Sequence, residues 1–283
     1  MKKVYTLGTT ILLSALLIGC GAEEDGTSGG DSDQSYTSGA VVEINTVAEA
    51  ENAAAAISNL NSSVNQVSTP SPSPSRGPSL SSVNGTQSCS GGGSIVTTGD
   101  ADDTTADFTT SYENCSETGI TITGSSTTVG TNNGGLVKLK ITTNDLKYQF
   151  TGSDFYNMNL ILDLETSDSH AANILYNGII NYSMAEIGSG KMAYDDFHIL
   201  VNQAQELDLE GKVSVTADQN TCQNGVYNIE TLDLLTPTSN GYSSGTMVVN
   251  GATYVYNNDG TADVTFSDGT TSTITQGAAL VCN

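Results

Sequence analysis

Basic residues are scarce in this chain. Among 283 residues, 8 are Lys or Arg and 31 are Asp or Glu, which gives a formal charge of −23 at pH 7. Proteins that bind nucleic acids neutralise phosphates with clustered Lys and Arg, and no stretch of this sequence forms such a patch. We therefore predict no nucleic-acid partner, and we interpret the acidity as a solvated surface, with cation binding as the alternative.

Tryptophan is absent, and the only histidines are His170 and His198. The lack of Trp argues against a sugar-binding cleft, although 12 tyrosines leave a surface platform open. There is no Cys-x-x-Cys pair, and no histidine lies at ligand spacing from a cysteine, which argues against zinc. Residues 241–245 match Gly-x-Ser-x-Gly, but a strand-like run follows where a nucleophile elbow needs a helix. We therefore predict no catalytic residue and no cofactor, with His198 on a strand surface and His170 in a loop.

The N-terminus has the features of a targeting signal. Two lysines precede an apolar run over residues 4–18, which is too short to span a bilayer as a stop-transfer helix. The run ends in Leu17-Ile18-Gly19-Cys20, which resembles the lipobox of bacterial lipoproteins. That resemblance implies cleavage before Cys20, its acylation with chains such as palmitate, and a lipid bilayer as partner. Gly21 replaces the aspartate that favours inner-membrane retention in that family, which implies the outer membrane, facing the periplasm or the cell surface.

Composition divides the chain into five segments. They are a signal peptide (1–19), a flexible acidic Gly/Ser tether (20–43), an amphipathic helix (44–68), a Pro/Ser linker (69–86) and a β-rich domain (87–283).

Thr46 and Glu49 form a capping box, which predicts a helix from about Val47 to Val67. Its apolar stripe has helical spacing and consists of Val47, Ala50, Ala54, Ile57, Leu60, Val64 and Val67. Because no Lys or Arg borders this stripe, we expect it to dock on the protein's own sheet rather than on a membrane. Binding of a partner protein is the alternative.

Beyond Cys89 the dominant pattern is two-residue alternation, typical of strands with one buried and one wet face. The apolar positions of this alternation are odd-numbered from Val137 to Ile141 and even-numbered from Leu146 to Phe150. This change predicts a bulge or tight turn at residues 143–145. Hairpin turns are predicted at residues 132–135, 250–251, 257–260 and 268–269. We count about a dozen short strands. The predicted fold is mainly β, an antiparallel meander in the form of a curved sheet, half-barrel or sandwich, with the helix packed on it.

Four cysteines besides Cys20 suit a compartment that permits disulfides. Cys89 and Cys115 lie equally far from Asp102, which sits in a polar turn between two strand-like runs. A hairpin centred there would place the two cysteines opposite each other. Of three connectivities, we therefore predict Cys89–Cys115 and, by elimination, Cys222–Cys282.

Two segments around these cysteines, CSGGGS from Cys89 and YENCSETGITITGS from Tyr112, resemble uncharacterised β-rich lipoproteins of Gram-negative bacteria. The resemblance covers about 40 residues. It implies a β-rich fold and an envelope location, and it assigns no catalytic residue.

Acidic residues supply two candidate sites. The first is a calcium site, which would use the carboxylates of Asp100, Asp102, Asp103 and Asp107. This group lacks the glycine and terminal glutamate of an EF-hand loop, and a solvated turn is the alternative. The second is the pair Asp163 and Glu165, which share one strand face at a separation of about 7 Å, as glycosidase carboxylates do.

The sequence as a whole predicts an outer-membrane-anchored lipoprotein whose domain is a non-enzymatic binding or scaffolding module, with an envelope protein or glycan as partner. Its oligomeric state is left open. One alternative is a carrier that holds an apolar ligand between helix and curved sheet, which a deep apolar cavity would favour. Another is an envelope glycan or ester hydrolase, which converging carboxylates in a cleft would favour.

Overall fold

The computed structural model describes ten stretches of the chain. They are residues 35–64, 84–101, 104–117, 119–133, 135–150, 152–167, 170–185, 188–219, 221–238 and 241–277. Cys20, the predicted signal peptide, most of the predicted tether and most of the Pro/Ser linker lie outside the described residues.

Helix α1 spans Val47–Val64 and begins with the predicted capping box. The Glu49 carboxylate accepts hydrogen bonds from the backbone amides of Asn45 and Thr46, both at 2.9 Å, and the Thr46 hydroxyl accepts one from Glu49 N at 3.3 Å. These bonds satisfy amides that have no partner within the helix. The bond from Asn45 is the main reason that the pKa of Glu49 lies below its usual value.

Among the described residues, fourteen strands form one antiparallel sheet, in which each strand pairs with its neighbours in the chain. Their bounds are β1 Gly85–Ser88, β2 Ser94–Ala101, β3 Thr105–Glu117, β4 Ile120–Asn132, β5 Val137–Gln149, β6 Phe155–Thr166, β7 His170–Met184, β8 Gly188–Asn202, β9 Leu207–Ala217, β10 Gly225–Thr238, β11 Gly241–Val249, β12 Ala252–Tyr256, β13 Thr261–Thr265 and β14 Thr271–Thr275. A 3₁₀ turn, Thr221–Gln223, precedes β10. The predicted mainly-β meander with one helix is confirmed, and the sheet stays open with β1 and β14 as its edges.

Each predicted hairpin turn lies between two consecutive strands. The turn predicted at residues 132–135 begins at the last residue of β4 and precedes β5, although residue 134 lies outside the described residues. Residues 257–260 join β12 to β13, and residues 268–269 lie between β13 and β14. Asn250 and Gly251 join β11 to β12 and both have positive φ, 48° and 86°. Two successive positive φ angles define the type I′ turn that matches the twist of a hairpin.

Two Asp–Asn pairs hold bulges in the middle of the sheet. Asp145 in β5 and Asp196 in β8 both have a φ of 45°, and the strand register shifts at each. Asn159 in β6 donates to the Asp145 carboxylate at 2.9 Å and accepts from its amide at 2.8 Å. Asn177 in β7 makes the same two bonds with Asp196, at 3.1 and 2.8 Å. The bulge predicted at residues 143–145 is therefore confirmed, and we call these two pairs the Asp–Asn clasps.

The core lies between α1 and the inner face of the sheet. Ala50, Ala53 and Ile57 of α1 are buried, and Tyr254 of β12 donates to the carbonyl of Ala50 at 3.3 Å. The largest fully buried side chains are Tyr227, Tyr254, Phe197, Ile57, Leu146, Leu207, Leu235, Met247 and Ile274. The predicted docking of the helix stripe is thus observed for Ala50, Ala54 and Ile57, although Val47 at its start is 40% exposed. The side chains of Leu60 and Val64, and Val67 with the predicted end of the helix, lie outside the described residues.

The segment before α1 is attached to the sheet at two places, and we call residues 35–46 the N-terminal strap. The Asp195 carboxylate of β8 accepts hydrogen bonds from Ser35, Tyr36 and Thr37. Further along, Val42 N donates to Val226 O at 3.1 Å, and Val226 N donates to Ala40 O at 2.9 Å. Residues 35–43, which composition predicts as tether, are therefore packed against the domain.

Candidate binding groove on the outer face of the sheet

A groove of about 430 Å³ crosses the outer face of the sheet over β4 to β8. Its lining includes Val129, Thr131, Lys138, Lys140, Asp163, Glu165, Asn173, Leu175 and His198. This volume falls within the range of ~300–1,000 Å³ typical of small-molecule sites. Most lining positions alternate along each strand with buried residues such as Ile141, Leu162 and Ile174, so the groove opens on the face opposite the core. Gly130, Leu139 and Leu164 contribute to its lining from the intervening positions.

Strand register arranges these side chains in two rows that run across the strands. The longer row, which we call the central row, pairs Val129, Lys140, Asp163, Leu175 and His198 in that order from β4 to β8. The second row, which we call the flanking row, pairs Thr131, Lys138, Glu165 and Asn173 from β4 to β7. Side chains directly opposite on antiparallel strands lie within contact distance, so each row forms a continuous surface.

The two lysine–carboxylate pairs of the groove differ. In the flanking row, Lys138 Nζ lies 3.1 Å from a carboxylate oxygen of Glu165. In the central row, Lys140 of β5 and Asp163 of β6 are likewise directly opposite each other. Within the described residues neither side chain has an ion-pair or hydrogen-bond partner. The groove therefore presents one uncommitted ammonium beside one uncommitted carboxylate.

His198 lies at the far end of the central row and is half-buried on the surface of β8, as predicted. Its Nε2 contacts the amide oxygen of Asn173 on β7. An amide oxygen can only accept a hydrogen bond, so Nε2 donates in this contact. The contact joins the central row to the flanking row at this end of the groove. His170 is the first residue of β7 rather than part of a loop.

The predicted carboxylate pair, Asp163 and Glu165, lies within the groove. Both belong to β6 and stand side by side along one strand, and each faces a lysine of β5. Glycosidase carboxylates instead flank the scissile bond from two sides. The arrangement is better suited to binding a ligand that has both charges than to acid–base attack across a sugar.

The candidate calcium residues are only partly described. Asp100 of β2 and Asp107 of β3 are direct cross-strand partners, whereas Asp102 and Asp103 lie outside the described residues. Within those residues, the potential metal ligands that come close together are Cys89, Cys115 and Glu117. That group has no thiolate to offer, because its two cysteines form a disulfide.

The Cys89–Cys115 disulfide is confirmed, with a Cα–Cα distance of 5.4 Å. The local geometry differs from the prediction, because Cys89 does not lie on a strand opposite Cys115. It lies in the turn between β1 and β2, where its amide donates to Gly93 O at 3.1 Å, and Ser116 N donates to Gly92 O at 2.9 Å. Cys222 is also disulfide-bonded, and Cys282, its predicted partner, lies outside the described residues.

The Gly-x-Ser-x-Gly segment does not form a nucleophile elbow. Residues 241–245 are the first half of β11, and the strand continues to Val249 without a helix. Ser243 donates to the carbonyl of Thr236 on β10 at 3.4 Å. The prediction that this segment is not a nucleophile elbow is therefore confirmed.

No known protein family, curated protein or solved structure matches this chain. In the part of the chain that the structure describes, no helix is both long enough and apolar enough to cross a membrane.

Sequence reasoning paired Asp163 with Glu165 on one strand face but did not place His198 near them. It assigned no role to Lys138 or Lys140. The pairing of β5 with β4 was predictable, because a turn at residues 132–135 fixes their register and places Lys138 opposite Thr131. The bulge between β5 and β6 was predicted, but the register shifts between β7 and β8 at residues 170–172 and 176–178 were not, so the complete groove was not predictable.

Proposed function

We propose that this protein is an outer-membrane-anchored lipoprotein whose β domain is a non-enzymatic binding module of the cell envelope, and that it binds through the outer-face groove. The groove is the observation that carries the proposal, because it is open, of ligand size and lined by both charges. The space beneath α1 is packed with Ile57, Tyr254 and Met247, which favours binding on the outer face over an apolar carrier.

Support for the anchor comes from the lipobox resemblance at Cys20 and the acidic Gly/Ser stretch behind it. Several acyl chains, at ~0.8 kcal/mol per buried methylene, hold a protein on a bilayer almost permanently. The strap begins at Ser35, so 14 residues separate Cys20 from the packed domain. A Gly/Ser-rich coil of this length has an r.m.s. reach of about 20 Å, and we propose that this predicted tether lifts the domain clear of the headgroups.

Membrane fractionation of the Cys20→Ala variant tests the anchor. We expect the variant in the soluble fraction, whereas Ser14→Ala, a matched change within the apolar run, should remain with membranes. Unchanged membrane association of Cys20→Ala would contradict a lipid anchor. Protease treatment of intact cells then reports whether the domain faces the periplasm or the outside.

Photo-crosslinking in cells tests the groove as the binding surface. Val129 lies in the groove and is 47% exposed, whereas Val255 on β12 is 43% exposed and is not among the groove residues, so it serves as a matched control. A photoreactive residue at position 129 should give an adduct that is detected as a mass increase on the purified protein, and the same residue at 255 should not. Equal labelling at both positions, or none at 129, would overturn the proposal.

A further inference from the structure

We propose that the groove binds a small zwitterionic ligand of amino-acid or short-peptide type, with its carboxylate on Lys140 and its ammonium on Asp163. This inference rests on the proposed function, because it names the ligand class of the same groove. The geometry behind it is the central row, in which an apolar residue, a cation, an anion and a second apolar residue follow one another across four strands.

The flanking row provides an internal comparison. Lys138 with Glu165 and Lys140 with Asp163 are both lysines of β5 directly opposite carboxylates of β6. The first pair is closed at 3.1 Å, whereas neither member of the second has a partner among the described residues. A closed pair has little attraction left for a ligand, but an open pair offers a donor and an acceptor to opposite charges.

The charges around the open pair discriminate between ligand classes. A polyanion would meet Asp163 and Glu165 in addition to the strongly acidic surface of the molecule. A simple cation would meet Lys138 and Lys140. A ligand with one charge of each sign satisfies both members of the open pair, and mismatched ligands are disfavoured by repulsion.

Two apolar side chains define the ends of the proposed ligand. Val129 is opposite Lys140, and Leu175 is opposite Asp163. Neighbouring strands lie ~4.8 Å apart, so both side chains are within reach of substituents on a ligand that spans the open pair. An apolar group next to the ligand's carboxylate would contact Val129, and an apolar group next to its ammonium would contact Leu175. A dipeptide with two apolar side chains has this distribution.

Calorimetric titration of the full chain with leucyl-leucine and its blocked forms tests the inference. Exposed ion pairs are individually weak, so we expect a dissociation constant of about 0.1–1 mM. The C-terminal amide and the N-acetyl form should each bind at least fivefold more weakly. Lys140→Gln should remove the preference for the free carboxylate, and Asp163→Asn the preference for the free ammonium. Lys191→Gln, a lysine of β8 that is not among the groove residues, should change neither preference.

Two results would overturn the zwitterion assignment. One is equal affinity for free and blocked dipeptides, and the other is no binding of leucyl-leucine at 10 mM, on the order of ten times the weakest constant expected. The crosslinking result at Val129 is independent of both, so a failed ligand assignment can be told apart from a failed binding surface. Thermal unfolding of each variant shows whether the fold is intact. Because the side chains of Lys140 and Asp163 have no bonding partner among the described residues, both substitutions should leave the fold intact.

Discussion

Two adjacent aspartates of β8, Asp195 and Asp196, have different roles. Asp196 forms one of the Asp–Asn clasps with Asn177 and so holds a bulge inside the sheet. Asp195 accepts four hydrogen bonds from the N-terminal strap, including one from Thr37 N at 3.1 Å. Burial alone would raise the pKa of Asp195, but the bonds from Ser35, Thr37 and Tyr36 outweigh burial and lower the pKa below its usual value.

Replacement of Asp195 by Ala should release the start of the strap. Hydrogen bonds to charged groups contribute ~1.5–3 kcal/mol each when buried, and partial exposure here reduces the total to about 1–2 kcal/mol. Hydrogen–deuterium exchange should become faster at the amides of Tyr36 and Thr37, which bond to Asp195. Exchange at Val42, which bonds to Val226, provides the internal control. Unchanged exchange at Tyr36 and Thr37 would contradict the assigned contact.

The same contact should respond to acid. Because the pKa of Asp195 is lower in the folded protein than in the unfolded chain, its contribution to stability is complete well above pH ~4. It is lost as the pH falls through the folded-state pKa, where the carboxylate is protonated. Protection of the Tyr36 and Thr37 amides, measured relative to their intrinsic exchange rates at each pH, should therefore decrease below about pH 4 in the wild-type protein, whereas Asp195→Ala should show no such step.

At the scale of strands, bulges require glycine where neighbouring backbones come close. Gly178 of β7 has a φ of 124°, and an added Cβ would lie 2.2 Å from the carbonyl oxygen of Asn159. Gly178→Ala should therefore destabilise the protein by about 2–4 kcal/mol through backbone strain and forced displacement of β6. Denaturant unfolding measures this. Gly85→Ala is the matched control, because a Cβ there meets nothing within 4 Å and the change should be nearly neutral.

The Cys89–Cys115 disulfide links the first hairpin to β3. It closes a loop with a sequence separation of 26 residues, for which the loop-entropy model gives about 3–4 kcal/mol. The double variant Cys89→Ser/Cys115→Ser should lose stability of that order in denaturant unfolding. Peptide mapping without reduction should recover the Cys89–Cys115 link from the wild-type protein, and a Cys89–Cys222 link would contradict the structure.

Local sequence predicted those elements whose determinants are close in the chain. The capping box of Thr46 and Glu49, the parity change before Leu146 and the Asn250-Gly251 turn are each set by a few neighbouring residues. The Asp–Asn clasps, the strap contact at Asp195 and the central row join distant residues. Their geometry depends on strand registers that bulges shift, and a shift of one residue moves each side chain to the other face. These features were therefore beyond prediction from sequence alone.

On the scale of the whole molecule, acidic residues far outnumber basic ones, so the positions of the few lysines indicate where a negatively charged group can bind. Five of the eight basic residues lie in the described stretches, and two of them, Lys138 and Lys140, line one groove. The remaining surface repels anionic polymers and membranes. In this groove a ligand carrying a negative group meets two lysines, which agrees with the proposed binding surface.

The net charge of −23 should make stability depend strongly on ionic strength. Self-repulsion among carboxylates opposes the compact state, and salt screens it, because the Debye length falls from ~30 Å at 0.01 M to ~3 Å at 1 M. We expect the Tm to rise by several degrees between 10 mM and 0.5 M NaCl, since loss of the exposed Lys138–Glu165 pair costs less than the repulsion relieved. A Tm that stays constant or falls would contradict this balance. Calcium chloride at equal ionic strength should have the same effect, and an additional rise that Asp107→Asn removes would instead identify a calcium site between β2 and β3.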